Sequence, residues 1–371
     1  MQQSITFVGL DAHKDSIVVA MLLPGRSVPL EWRIVNEPGA VRRLARKLER
    51  EAPGPVRACY EAGPCGYVLQ RQLAEQRIAC AVVAPSLIPV KPGQPIKTDH
   101  RDARKLAEPF RAGLLTEVHA PSEDEEAVRD LTRAREDAQR DLTRARNRLS
   151  KFLLRRGCIY RVGGRPTWSR KYRVWLHGLA FERAADQVVH EDYLLAVEQT
   201  EARLEALDAE LEKLSAHERY RAPVAALRCF RGIDTVTAMA LVAELHEPRR
   251  FHGARQLAAF LGLVPRESSS GDRRRLGGIT GAGNRHVRRL LVEAAWHYRH
   301  KPQVDRSLRL RRRGQPPAVI ALADRALRRL SLRQRRMLYQ GKHPNTTTVA
   351  IARELAGHVW NAMLAVTPAR G

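Results

Sequence analysis

Between residues 4 and 111 short apolar runs alternate with helical spacing, and this alternation restricts the first third of the chain to an α/β layer. Residues 4–10, 17–23 and 31–35 read as strands, with Pro24-Gly25 as a turn. Val41, Leu44, Ala45 and Leu48 then recur at the spacing of a helix between Pro38 and Arg50. A strand ending at Tyr60, a helix over 66–76 and a strand over 78–83 follow. After the Pro-rich connection 85–95, a helix is expected from Asp99 to about Arg111. Strands joined through helices return in the same direction, so the sheet is expected to be partly parallel.

Four acids occupy the ends of these elements. Asp11 ends the run Ile5-Thr6-Phe7-Val8-Gly9-Leu10, and Glu61 ends Val56-Arg57-Ala58-Cys59-Tyr60. Asp99 and Asp102 lie in Lys97-Thr98-Asp99-His100-Arg101-Asp102-Ala103-Arg104, three apart and hence on one face of a helix. Each acid taken alone has a plain reading. Asp11 suits a turn through His13-Lys14-Asp15, Glu61 precedes an Ala-Gly-Pro break, and Asp99 and Asp102 suit a helix dipole as first-turn acids. Taken together they are what an RNase H-like (RuvC-like) sheet would present. Hard divalent cations such as Mg²⁺ take carboxylate oxygens, and one or two ions at such a set suit phosphodiester chemistry.

The whole-chain composition names the partner class. The formal net charge is +25 over 371 residues, which favours a polyanion. Residues 249–336 hold 23 Lys and Arg against 5 Asp and Glu, so a phosphate-tracking surface is expected there. Five scattered cysteines without metal-ligand spacing suit reduced thiols in a cytoplasm. No apolar run is long enough to span a bilayer, and no membrane partner is expected.

Three parts are expected: 1–120, 121–220 and 221–371. In the middle part Val128, Leu131, Ala138, Leu142, Ala145, Leu149 and Phe152 fit a heptad that Arg135 interrupts. Val197, Leu204, Leu207, Leu211 and Leu214 repeat it, which suggests a coiled-coil arm, folded on itself or paired between subunits. The basic insertion 157–189 carries Trp168 and Trp175, readable as a nucleic-acid-stacking tip or as a small packed subdomain. From 221 onward the chain reads as mainly helical. There Ser268-Ser269-Ser270-Gly271 precedes Asp272-Arg273-Arg274-Arg275, a flexible loop by composition or a nucleophile among phosphate-holding cations.

Several stretches together resemble the DEDD transposases of bacterial insertion sequences, the insertion sequence 110 family and especially its 1111 subgroup. They are Gly9-Leu10-Asp11, Tyr60-Glu61-Ala62, Thr98 to Ala103, Gly262-Leu263-Val264-Pro265, Ser269-Ser270-Gly271, Arg275 to Thr280, Gly283-Asn284 and Ala350 to Ala356. The resemblance implies a RuvC-like domain holding Mg²⁺ on Asp11, Glu61, Asp99 and Asp102, and a C-terminal transposase domain. It implies a serine nucleophile, Ser270 or else Ser269, with each active site shared between subunits of a dimer or tetramer. It also implies a non-coding RNA that guides the protein to donor and target double-stranded DNA. The basic residues Arg273, Arg274, Arg275, Arg285, Arg288 and Arg289 are then the nucleic-acid contacts expected near the serine. Gly281 departs from the family, which commonly has Lys there. Two other readings stay open: a RuvC-like nuclease that uses activated water, and a non-catalytic RNA- or DNA-binding scaffold.

Overall fold

The computed structural model describes residues 4–89, 99–161, 168–268 and 275–367, the side chains of 99–101 excepted. The chain divides into two compact units, 1–122 and 123–371.

The first unit is a six-stranded mixed sheet. Its strands are β1 (Thr6–Ala12), β2 (Ser16–Leu22), β3 (Leu30–Val35), β4 (Val56–Glu61), β5 (Ala79–Val83) and β6 (Glu117–Val118), in the order β3-β2-β1-β4-β5-β6. β1, β4 and β5 run parallel, while β2, β3 and β6 are antiparallel to their neighbours. This is a mixed α/β sheet consistent with an RNase H-like fold. One face packs under α1 (Pro38–Glu51) and α2 (Val68–Glu75), where Val8, Leu10, Ile17, Val19 and Tyr60 meet Val41, Leu44, Leu48, Leu69 and Leu73. The other face packs under α3 (Asp99–Arg111): Val18, Ala20 and Leu22 meet Ala103 and Ala107, and Cys59 and Val83 meet Leu106 and Phe110. The period of two along each strand thus sorts side chains between two different layers.

The second unit is helical. α4 (Glu123–Arg155) and α6 (Ala184–Ser215) lie side by side, with α5 (Arg170–His177) between them in sequence. Arg135 pairs with Asp208, Arg146 with Glu201 and Arg156 with Asp186. Partner numbers fall on α6 as they rise on α4, so the two helices are antiparallel and the pairing is made within one chain. Arg135, the charge that breaks the heptad, forms a two-pronged bond to Asp208 at 2.7 and 3.2 Å. Around α5 the aromatic residues pack on one another. Tyr172 is 3% exposed and has Trp168 and Trp175 at centroid distances of 5.4 and 5.5 Å. The segment therefore has a small core of its own, and Arg146 covers Trp168 at 4.7 Å.

The larger core is built from α7 (Glu218–Leu227), α8 (Thr235–Leu245), α9 (Ala254–Phe260), α10 (Arg285–Trp296), α12 (Pro317–Tyr339) and α13 (Pro344–Val366), and α11 (Arg306–Arg312) is tied to it by Arg312, which donates to the Cys229 carbonyl at 3.0 Å. β7 (Pro265–Glu267) and β8 (Leu276–Ile279) form a small antiparallel hairpin between α9 and α10. Among the described residues no helix is long and apolar enough to cross a membrane.

Candidate active site

Register places two of the four acids. Asp11 is paired with Val18 and Glu61 with Val83. Val18 and Val83 both pack against α3, and cross-strand partners in a sheet point to the same face. Asp11 and Glu61 therefore stand on the α3 side, at the C-terminal ends of adjacent parallel strands, one step beyond the Leu10–Tyr60 pair.

α3 brings the other two to the same end of the sheet. Phe7 makes an edge-on contact with Phe110 at 5.6 Å. Two residues further along β1, Gly9 lies under Ala103 and Ala107, so closely that a Cβ there would sit 2.2 Å from the Ala103 carbonyl oxygen. The helix thus runs opposite to β1, and the next two residues of the strand reach the level of its first turn, where Asp99 and Asp102 are. Asp102, Ala103, Leu106, Ala107 and Phe110 follow helical spacing along the stripe that faces the sheet, and Asp99 precedes Asp102 by three residues. The side chain of Asp99 lies outside the described residues.

Asp11 and Asp102 each have a basic side chain beside them. His13 Nε2 lies 3.1 Å from Asp11 Oδ2, and Lys105 Nζ donates to Asp102 Oδ1 at 3.1 Å. The carboxylates of Asp11, Glu61 and Asp102 do not all lie within 4.8 Å of one another. Lys105 stands three residues from Asp102, the spacing that shares a helix face, whereas the His13 contact is made from the turn just beyond β1. Gly9, an isolated Gly within an apolar strand, marks this close backbone approach.

The donor set suits a hard divalent cation. It offers carboxylate oxygens and, among the acids, no thiolate. Parallel strands ending side by side also present both carboxylates to the same space.

The serine stretch sits on a built base. Ser268 N–H donates to the Arg275 carbonyl at 2.9 Å and closes the β7–β8 hairpin, while Ser269, Ser270, Arg273 and Arg274 lie outside the described residues. Below the hairpin two turns interlock. Gly262 and Gly283 both take positive φ, 63° and 79°, and a Cβ on either would meet a carbonyl of the facing turn at 2.0 Å. Asn284 caps α10 by accepting from Val287 N–H at 3.0 Å, and its amide donates to Glu244 at 2.8 Å. Gly281 has φ 67°, a backbone state that disfavours any side chain there, Lys included.

Glu244 is 3% exposed and also accepts from Arg133 at 2.8 and 3.2 Å. Burial pushes its carboxyl up, but the Arg133 and Asn284 bonds outweigh burial and hold it below the usual range.

The expected phosphate contacts divide. Arg285 is exposed at the start of α10. Arg288 donates to the Leu261 and Ala282 carbonyls at 2.7 and 3.1 Å, and burial lowers its pKa. Arg289 is held by Glu136 at 2.9 Å and by Glu293 at 2.7 Å. Arg288 therefore braces the hairpin base, while Arg289 ties α10 to α4. Arg275 closes the hairpin through its carbonyl.

The chain is similar in sequence to known transposases. A family model described as "Transposase IS116/IS110/IS902 family" matches residues 224–318. A DEDD model of the IS110 type, described as "Transposase", matches residues 8–156. The chain is 39% identical over 355 residues to the putative transposase y4qE of Sinorhizobium fredii, covering 95% of this chain and 87% of that one. It is 34% identical over 327 residues to the transposase for insertion sequence element IS1533 of Leptospira borgpetersenii, covering 87% and 94%. It is 28% identical over 239 residues to the transposase for insertion sequence element IS1111A of Coxiella burnetii, covering 62% and 64%.

Proposed function

The chain belongs to the IS110/IS116/IS902 family of insertion-sequence transposases, and from that premise we propose that Asp11, Glu61, Asp99 and Asp102 form its DNA-cutting centre. It is a DNA transposase, an enzyme of phosphodiester transfer. The observation that carries the site is the pairing of Asp11 with Val18 and Glu61 with Val83, under a helix whose first turn bears Asp99 and Asp102.

The four carboxylates would hold one or two Mg²⁺ ions, which when bound would polarise the scissile phosphate and stabilise the leaving oxygen. The chain's own residues set the geometry. Gly9 lets α3 approach the sheet, and His13 and Lys105 lie beside Asp11 and Asp102 in the described state. Ser270, with Ser269 as second choice, is the proposed nucleophile. Its oxygen would form a bond to phosphorus as a sugar oxygen leaves and takes a proton, and the reverse exchange rejoins strands. Arg273, Arg274, Arg275 and Arg285 would hold the phosphates nearby.

The remaining parts of the reading are that the enzyme is cytoplasmic, acts as a dimer or tetramer on donor and target double-stranded DNA, and is guided by a non-coding RNA. Acids and serine would come from different subunits. Mixing a Ser270→Ala protein with an Asp11→Ala protein tests this: strand cleavage returns if each subunit supplies one half of the site. Two inactive proteins that stay inactive when mixed, while each still binds DNA, would contradict it. Metal-dependent cleavage that persists in a Ser269/Ser270 double variant, with no covalent protein–DNA attachment, would favour the nuclease that uses activated water.

A further inference from the structure

The stretch Ala350-Ile351-Ala352-Arg353-Glu354-Leu355-Ala356 has so far no role in the reaction. In α13 its Ile351, Ala352, Leu355 and Ala356 are buried, while Ala350, Arg353 and Glu354 turn outward into a groove of about 490 Å³. The floor is made of small side chains: Ala254 and Ala258 of α9 and Ala350 of α13. Arg255, Arg329, Arg333 and Arg353 stand around it. A shallow apolar floor walled by guanidinium groups lets a sugar–phosphate backbone approach closely and meet donors on both sides.

These cations are arranged in two ways. Glu354 is the groove's one acid, and it binds both Arg329 and Arg333, the latter at 2.9 Å. Arg255 and Arg353 are exposed and form no hydrogen bond or ion pair among the described residues. The groove continues along the outer face of α12, where a second hollow of about 630 Å³ shares Arg329 and Arg333 and extends to Arg336 and Lys342. At its other end the first groove is lined by Val264, whose carbonyl accepts from Thr280 N–H at the base of the serine hairpin. The basic track therefore leads from that hairpin along the C-terminal half of α12, from Arg329 to its cap residue Gln340, about 16 Å at 1.5 Å per residue.

We infer that this groove carries the phosphates of one strand of duplex DNA away from the serine hairpin, with Arg255 and Arg353 as the contacting cations. Glu354 is a positioning residue that fixes Arg329 and Arg333 beside the strand. The inference rests on the proposed DNA substrate and adds a surface to it. Charge complementarity selects the occupant, because six cations in the two hollows face one carboxylate.

The test is fluorescence anisotropy of a short labelled duplex with the full-length protein over a series of KCl concentrations. Each lost phosphate contact flattens the slope of log K against log salt by about 0.9. The double variant Arg255→Gln/Arg353→Gln is expected to lose about two units of that slope. Arg353→Lys is expected to keep the wild-type slope, since the charge stays. A double variant that melts like wild type and keeps the wild-type slope overturns the inference. A slope change with structured RNA and none with duplex DNA also overturns it. Metal-dependent cleavage is read separately: a steep wild-type slope left unchanged by the double variant removes the groove and leaves the cutting centre standing.

Discussion

Asp102→Asn will lower DNA strand cleavage by about a thousandfold or more, equivalent to about 4 kcal/mol of transition-state stabilisation, with duplex binding unchanged. The substitution keeps side-chain volume and the helix stripe that Asp102 shares with Ala103 and Leu106, and removes only the anionic oxygen. In the proposed reading binding rests on arginines in the other unit, so the two readouts separate. Lys105, which now pairs with Asp102, is 42% exposed, and its loss of a partner costs little. Gel assays of cleavage beside anisotropy of binding check the prediction. Cleavage near the wild-type rate would remove Asp102 from the site, and a parallel fall in binding would show a structural effect instead.

Gly9→Ala will destabilise the first unit by about 3 kcal/mol and reduce cleavage with it. The added Cβ would sit 2.2 Å from the Ala103 carbonyl oxygen and 2.6 Å from the Ala107 nitrogen. Both are backbone atoms of α3 and cannot rotate away, so the helix must lift from the sheet. That displacement separates Asp99 and Asp102 from Asp11 and Glu61. For a unit of about 120 residues the first melting transition should fall by roughly 10 °C. Gly39→Ala is the contrast, because its Cβ would meet only the tip of the Arg43 side chain at 3.6 Å. A helical Gly replaced by Ala is stabilising by about 0.5–1 kcal/mol. Calorimetry of the two variants decides it: equal melting points would mean that α3 does not rest on Gly9.

The sheet of the first unit was legible because its strands and helices have contrasting periods. Period-two burial under two different helical layers makes β1 and β2 nearly continuous apolar runs, and α1 shows its stripe at Val41, Leu44 and Leu48. β6 was not legible, since a two-residue strand has no period. The candidate site was legible as residue types, and register adds which face they share. Its neighbouring basic residues, His13 and Lys105, are single residues whose pairing depends on side-chain placement. Arg135 read as a flaw in a heptad, whereas its partner Asp208 lies on a helix that only the antiparallel fold brings alongside. Arg255 and Arg353 are far apart in sequence, and no local pattern joins them before α9 and α13 pack.

Mn²⁺ binding followed by electron paramagnetic resonance, on full-length protein with a duplex, tests the cutting centre most directly. The wild type should hold Mn²⁺, and Asp11→Asn and Glu61→Gln should each lose it. Glu31→Gln should retain it, because Glu31 is committed to Arg104 at 2.6 Å. Undiminished Mn²⁺ in both the Asp11 and Glu61 variants would contradict the assignment of these acids as metal ligands.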